Sequence, residues 1–391
     1  MKLKILLGLT TLQLEVNDIM LKNSFLVPVA SPSIGLSEAK SVFRQINSKW
    51  ISMGKKVEEF EKKICKEIGC KHAITVNNGT SALDALLTAF NINENDEVII
   101  PSLTYISSAN VVLYKKAKLV LCDCDLKTFN VDYKDLKKKI TKKTKLIITT
   151  DLKGMPVDYD EIRKIIKNKN IHLISDSAES FGSTYKGKKV GTQFIAHTFS
   201  FFANKNITTG EGGVITTNNK SLAKKLRMIR NQGQNRRYNH ILLGNNYRMT
   251  DVTAAIGVEQ LKKLKIILKK KQLIAEFYNK ELNKIEGITV PFVPQFVTQH
   301  SWYNYSIKLK KNLRDKLIRF LENKGIETRL SFPPIHIQPY YIKKFKFKKN
   351  QFINSIGSYQ TFLDLPIYAN LNKKDLNYVI NSIKIFFRKT K

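Results

Sequence analysis

A single lysine, Lys205, stands between two asparagines in FSFFANKNITTGEGG (199–213), with aromatic residues before it and three glycines within the last four positions. Apolar neighbours make an ammonium costly, and desolvation lowers a lysine's pKa. A neutral amine in such a place can condense with an aldehyde to form a Schiff base. In HLISDSAES (172–180), Asp176 ends a strand-like run and Glu179 follows three residues on. A carboxylate there either caps the next element or holds a proton on a pyridine nitrogen. In VNNGTSALDAL (76–86), Gly79, Thr80 and Ser81 occupy a strand-to-helix turn. Such a turn is either a plain N-cap or an anion site whose free N–H groups and hydroxyls suit a phosphate. Ser200, five positions before Lys205, can reach the same phosphate, and Tyr105 in PSLTYISSAN (101–110) offers a ring for stacking. A phosphate cradle, an acid for a ring nitrogen and a nucleophilic amine are together what pyridoxal 5'-phosphate (PLP) requires.

These residues must be positioned by regular elements, and the hydrophobic pattern supplies them. HAITVN, EVIIP, KLVLCD, KLIITT, HLISD and GGVITTN read as strands. Between the first five lie TSALDALLTAF, SSANVVLYK, YKDLKKKI and YDEIRKIIKN, with apolar residues at helical spacing. The alternation predicts an α/β fold with a mostly parallel sheet, helices on both faces, and ligand sites beyond the carboxyl ends of the strands. After the polar stretch NQGQNRRYNHILLGNNYRM, one long helix is expected from about Asp251 to Leu282. A smaller αβ unit follows, with YNYSIKL as strand, LRDKLIRFLENKG as a helix closing on Gly325, and LNYVINSIKIFF as the final helix. The expected division is a leader over 1–25, a large PLP-binding domain over 26–250, and the linking helix with a small C-terminal domain over 251–391.

Lys+Arg 67 against Asp+Glu 32 gives a net charge of +35. The lysines are spread along the chain and alternate with apolar residues at helical spacing, as in QLKKLKIILKKKQL, so they read as solvated faces and not as a nucleic-acid surface. Cys65, Cys70, Cys122 and Cys124 fall as C-x4-C and C-x-C, spacings typical of neither zinc nor redox motifs. Reduced thiols, a cytoplasmic location and no metal are expected. The apolar run near the start is interrupted by Thr10, Thr11 and Gln13, and no stretch of the chain approaches the ~18 to 20 apolar residues of a membrane span.

The order N-G-T-x-A-L (78–83), P-S-x-T-Y (101–105), D-x-A-E-S (176–180), S-F-x-x-x-K-x-I-T-T-G-E-G-G (200–213) and G-x-N-Y-R-M (244–249) closely resembles the sugar aminotransferases related to DegT, DnrJ, EryC1 and StrS. WISMGKKVEEFE, GMPVDYDEI, TRLSFPPIHIQPYY and LDLPIY extend the resemblance from about Leu26 to Phe387. It implies a PLP-dependent fold of the aspartate-aminotransferase type (fold type I). It also implies that Lys205 carries the cofactor, Asp176 pairs with the ring nitrogen, Tyr105 stacks on the ring, and Gly79, Thr80, Ser81 and Ser200 hold the phosphate. Glu179 belongs to the same cofactor set. Asn246 is then the asparagine that reaches the phosphate of the neighbouring subunit, which implies a homodimer with shared sites. A dehydratase branch of the family has histidine at the lysine position; this chain has lysine. FANKNITTGEGG, AESFGS and the stretch around RYNH resemble most the perosamine synthases, which take glutamate as amino donor and aminate C4 of GDP-4-keto-6-deoxymannose for surface polysaccharides. His240 and His336 are then candidates to touch the substrate, with a backbone-satisfied loop histidine the alternative for each. A UDP-linked keto-sugar, a 3-keto sugar or a keto-inositol remains open as acceptor, and a non-enzymatic PLP-binding regulator is the reading from another class. One departure stands out: GTQFIAHTF places Phe194 and Ile195 where the family usually has Gly-Asp, which predicts a loop that differs near the site.

Overall fold

The computed structural model describes residues 25–390, so the leader expected over 1–25 lies, but for Phe25, outside the described residues. Seven strands form one sheet: β1 (His72–Val76), β2 (Glu97–Pro101), β3 (Lys118–Cys122), β4 (Thr144–Thr150), β5 (His172–Asp176), β6 (Ala196–Ser200) and β7 (Gly213–Thr217). Their order across the sheet is β1-β7-β6-β5-β4-β2-β3. The neighbours from β6 to β3 pair in parallel, and only β7 runs against both of its neighbours, β1 and β6. This is the mostly parallel α/β sheet that the alternation predicts.

Continuous apolar strands arise because both faces of the sheet are covered. Alternate residues of one strand enter different layers. Ile99 and Ile147 pack with Phe60 and Ile64 of the Lys55–Ile68 helix and with Ala254 and Val258 of the Asp251–Leu282 helix. Val98, Ile100, Leu146 and Ile148 pack on the other face with Leu83 and Leu86 of the Gly79–Ala89 helix, Val112 of Ser107–Tyr114 and Leu226 of Lys220–Arg230.

The long helix runs over Asp251–Leu282, as its pattern predicts, and joins two cores. Its first residue caps another helix: the buried Asp251 carboxylate accepts from Gly54 N (2.8 Å), Val57 N (2.9 Å) and Lys56 N (3.1 Å). These are first-turn donors that the Lys55–Ile68 helix cannot satisfy itself. At the far end, Ile274, Tyr278 and Leu282 pack with Tyr305, Ile307, Leu363, Val379 and Ile383. That second core belongs to the smaller C-terminal αβ domain, where β8 (Tyr305–Lys308) pairs antiparallel with β9 (Phe362–Leu365).

Gly257 sets how closely the long helix approaches the Lys55–Ile68 helix. A Cβ there would lie 2.5 Å from Cζ of the fully buried Phe60 ring. Gly257→Val is therefore expected to destabilise the protein by about 1–3 kcal/mol through overpacking. The urea midpoint should fall with the slope of the transition unchanged.

Candidate active site

The parallel strands deliver their carboxyl ends to one edge of the sheet, and a cavity of about 380 Å³ opens there. Asn78, Gly79 and Thr80 follow β1, Thr104 and Tyr105 follow β2, and Thr150 and Leu152 come from the end of β4. Asp176 and Glu179 come from β5, and Ser200 and Lys205 from β6. Residues spread over more than a hundred positions are thus brought within one cavity by strand polarity alone.

Lys205 sits in the loop between β6 and β7, its N–H bonded to Phe202 O at 3.0 Å. Its Nζ lies 4.1 Å from the centre of the Tyr303 ring and 3.8 Å from Glu179 Oε1. Burial is the largest single influence and pulls its pKa down, but Tyr303, Glu179 and Asp176 together hold it above the usual lysine value. The expectation of a lowered pKa is therefore corrected. Desolvation acts as argued, yet the same pocket also buries the carboxyl groups of Asp176 and Glu179 close to the amine.

Asp176 Oδ2 accepts from Ser108 Oγ at 2.7 Å and Oδ1 from Ala178 N at 3.3 Å. Burial raises the Asp176 pKa above the ordinary carboxylate value despite these bonds and the nearby Lys205. Glu179 is raised by burial in the same way, with Lys205 the largest opposing influence. Its Oε2 accepts from Lys153 N at 2.6 Å.

At the end of β1 the Gly79–Ala89 helix begins, and the Asn78 side chain caps it by accepting from Ser81 N at 2.8 Å. The first-turn N–H groups of Gly79 and Thr80 have no intrahelical acceptor. Thr80 Oγ1 and Ser107 Oγ share a hydrogen bond of 2.7 Å beside them. Gly79 packs on Ser200, where a Cβ would meet the serine Cβ at 3.2 Å. Ser81 itself is buried and lies outside the cavity lining.

A profile of the DegT/DnrJ/EryC1/StrS aminotransferase family matches residues 32–384. The chain belongs to this family. It is similar to GDP-perosamine synthase of Caulobacter vibrioides, 41% identical over 366 residues covering 91% of this chain and 97% of that protein. GDP-perosamine synthase of Escherichia coli O157:H7 is 38% identical, with 92% and 98% covered. Among solved structures, the PLP-form of the putative sugar aminotransferase Spr1654 of Streptococcus pneumoniae superposes with a TM-score of 0.89 at 27% identity, covering 93% of this chain and 99% of that one. The protein is accordingly a PLP-dependent aminotransferase of fold type I.

The cavity residues fit that cofactor. A helix N-terminus with free N–H groups and neighbouring hydroxyls suits a phosphate. A buried carboxyl group whose ionised form is disfavoured suits a cationic ring nitrogen, which would lower its pKa again. Tyr105 lines the cavity, half-exposed, with its ring centre 5.2 Å from that of Phe332.

His336 and the loop at Phe194 and Ile195 depart from expectation, and His240 and Asn246 lie outside their own chain's cavity. His336 is fully buried, its Nδ1 paired with Ser102 Oγ at 2.8 Å, and it lies outside the cavity lining, so it is a packed histidine of this chain's interior. His240 lies on an exposed hairpin outside the cavity, its Nδ1 2.8 Å from Gln232 O. Phe194 and Ile195 precede β6 and so fall at the amino edge of the sheet, opposite the site. Phe194 packs edge-on against Tyr159, away from the cavity lining. Asn246 is exposed and also outside its own chain's cavity, held by a backbone bridge to Asn231.

Ser108, Tyr303 and Asn78 escape sequence reasoning. Asn78 has a local signal, the N-G-T turn itself, whereas Ser108 and Tyr303 meet Asp176 and Lys205 only through the fold. Gly79→Val should fill the space over Ser200 and weaken PLP binding by about tenfold or more, equivalent to about 1.4 kcal/mol. An absorbance titration with PLP on protein of unchanged far-ultraviolet circular dichroism measures this.

Proposed function

We propose that this aminotransferase transfers the amino group of glutamate to C4 of a nucleotide-linked 4-keto-6-deoxy sugar, with GDP-4-keto-6-deoxymannose as acceptor and GDP-perosamine as product. The observation that carries this reading is the 38–41% identity to proteins named GDP-perosamine synthase over nine-tenths of both chains. A cytoplasmic enzyme supplying surface polysaccharide synthesis is the setting that fits. No helix among the described residues is long and apolar enough to cross a membrane.

In this reading Lys205 holds the cofactor covalently, and the N–H groups of Gly79 and Thr80 with the Ser200 hydroxyl bind its phosphate. Bound there, PLP supplies a carbonyl that takes up the amino group and a ring that stores the electron pair released at Cα. Asp176 keeps a proton on the ring nitrogen, and Ser108 fixes the carboxylate for that task. Tyr105 covers one face of the ring. Released as the neutral amine, Lys205 Nζ would take the proton from Cα of glutamate and would deliver it to the carbon that keeps the amino group. Water supplies the keto oxygen of 2-oxoglutarate, and the oxygen of the sugar C4 carbonyl leaves as water, so the two half-reactions balance. The Tyr303 ring, 4.1 Å from Nζ at its centre, and Glu179, at 3.8 Å, orient the amine.

The active assembly is a homodimer with shared sites. Asn246 is exposed on its own chain, and so are Tyr238 and Leu243 beside it, an apolar surface of the sort that a second copy covers. His240 lies on the same face, so any role toward substrate is in the partner's site.

Borohydride should fix the cofactor to Lys205, and Lys205→Ala should abolish that trapping; a tagged peptide containing another lysine would refute the assignment. Asp176→Asn should keep the cofactor yet lose about 10²–10³ in turnover, since the amide cannot hold the ring proton. Incubation with glutamate and either GDP- or UDP-4-keto-6-deoxyhexose should give a 4-amino sugar from the GDP substrate. Mixing an inactive Asn246 variant with Lys205→Ala should restore activity, because each hybrid then holds one site with both residues intact. Turnover of the UDP sugar alone would overturn the acceptor, and hybrids without activity would overturn the shared site.

A further inference from the structure

The loop after β4 carries a buried ammonium that the chemistry described so far does not use. Lys153 has left-handed backbone angles (φ 62°, ψ 12°) and a side chain only 7% exposed. The backbone conformation is strained for a non-glycine residue. An unpaired ammonium in such a place is unfavourable as well. Both are offset by the C-terminal domain. Nζ donates to Ser306 Oγ at 2.6 Å and Asp364 Oδ1 at 2.8 Å, and lies 4.5 Å from the centre of the Phe362 ring. The second Asp364 oxygen accepts from Asn304 Nδ2 at 2.7 Å. The side chain is thus a strut from the large sheet to the antiparallel β8–β9 pair.

Its backbone N–H reaches a residue of the cavity lining, Glu179. Lys153 N–H is the donor that holds Glu179 Oε2 at 2.6 Å, while Glu179 Oε1 faces Lys205 Nζ at 3.8 Å. The next residue, Gly154, has φ 92°, and a Cβ there would lie 2.2 Å from Ser301 Oγ, 3.0 Å from Tyr303 N and 3.1 Å from Glu179 O. Lys153 and Gly154 therefore contact both segments that flank Lys205, the one bearing Glu179 and the one bearing Tyr303.

We propose that Lys153 is a positioning residue for the transamination, which ties Ser306 and Asp364 of the C-terminal domain to the loop that holds Glu179 against Lys205. The inference rests on Lys205 being the cofactor-bearing lysine.

The charges around Glu179 give the strut a signature that packing alone would lack. Glu179 is faced by Lys205 and Lys153, which favour its ionised form, and by Asp364, which opposes it. Lys205 in turn is faced by Tyr303, Glu179 and Asp176, and Tyr303 by Lys205, Glu179 and Arg329. Removing the Lys153 ammonium lets Glu179 take up a proton, and Lys205 loses part of what keeps it charged. Removing the Asp364 charge favours ionised Glu179, so Lys205 keeps its proton. The two ends of one ion pair act on Lys205 with opposite sign.

Acetic anhydride labelling of the full-length chain freed of cofactor, read at Lys205 by mass spectrometry across pH, reports that proton without requiring activity. Lys153→Met should lower the midpoint by about one pH unit, a tenfold loss of proton affinity. Asp364→Asn should leave it in place or raise it, and Lys153→Arg should stay near wild type. A midpoint unmoved in Lys153→Met, or lowered equally in Lys153→Met and Asp364→Asn, overturns the inference. Should Lys153→Met fail to fold, Lys153→Met/Asp364→Asn leaves no buried charge unpaired. It should titrate below Asp364→Asn alone, and equal midpoints again overturn the proposal. Borohydride trapping at another lysine would instead refute the role of Lys205 and leave this titration result standing.

Discussion

Asp176, Glu179 and Lys205 line one cavity, and the attraction of Lys205 for the two carboxyl groups is the constraint on which the surrounding structure depends. Each is expensive to bury alone, by several kcal/mol per ion even after relaxation. Burial pushes both carboxyl pKa values up, and Lys205 pulls each of them down again. The amine in turn stays charged because of its anionic neighbours and Tyr303. Such a cluster is stable only if every member is held at a fixed distance. That is why the hydroxyl of Ser108, the N–H of Ala178 and the N–H of Lys153 are committed to the carboxylates. A bound cofactor with a cationic ring nitrogen and an anionic phosphate enters this balance as a further pair of charges.

Strand direction solves the geometric half of the problem. Parallel β1, β2, β4, β5 and β6 present their carboxyl ends to one edge, and β7 alone returns. The return must begin directly after the lysine loop and pass beneath the helix N-terminus. Glycine is required there: a Cβ on Gly213 would lie 2.5 Å from Asn78 O, and one on Gly212 would lie 2.2 Å from Thr209 Oγ1. The glycines after Lys205 thus let the chain pass close to the start of the Gly79–Ala89 helix, and Gly210, with φ +80°, makes the turn itself.

What could be read in advance was what is contiguous. Each strand and each strand-end motif is a short local signal, so the sheet, the long helix and the cavity positions of Lys205, Asp176, Glu179, Gly79, Thr80, Ser200 and Tyr105 follow from pattern and strand polarity. What required the fold was pairing across distance. Ser108 is invisible as the Asp176 partner because a serine in a helix has many other uses. Tyr303 belongs to a strand read only for its apolar periodicity. The charge of Lys205 was misjudged because its burial was weighed without the opposing pull of Tyr303, Glu179 and Asp176. His336 reverses the error: a loop-like motif, PPIHIQ, is in fact packed interior, fixed by Ser102.

Charge within the cavity finally bears on assembly. Its lining holds the carboxyl groups Asp176, Glu179 and Glu211 against the single ammonium of Lys205. A phosphate cofactor, a dicarboxylic donor and a nucleotide diphosphate sugar are all anionic, and sites for such ligands normally focus positive potential. The phosphate is served by backbone N–H groups, which leaves the diphosphate without a cation from the same chain's lining. In the proposed dimer the exposed hairpin formed by Gln234–Arg236 and Asn239–His240 approaches the partner together with Asn246, and it carries Arg236 and Arg237. Their two charges, added from the second subunit, would offset the acidity of the lining. On that proposal substrate capture depends on assembly, while the lysine and its two carboxylates remain the work of a single chain.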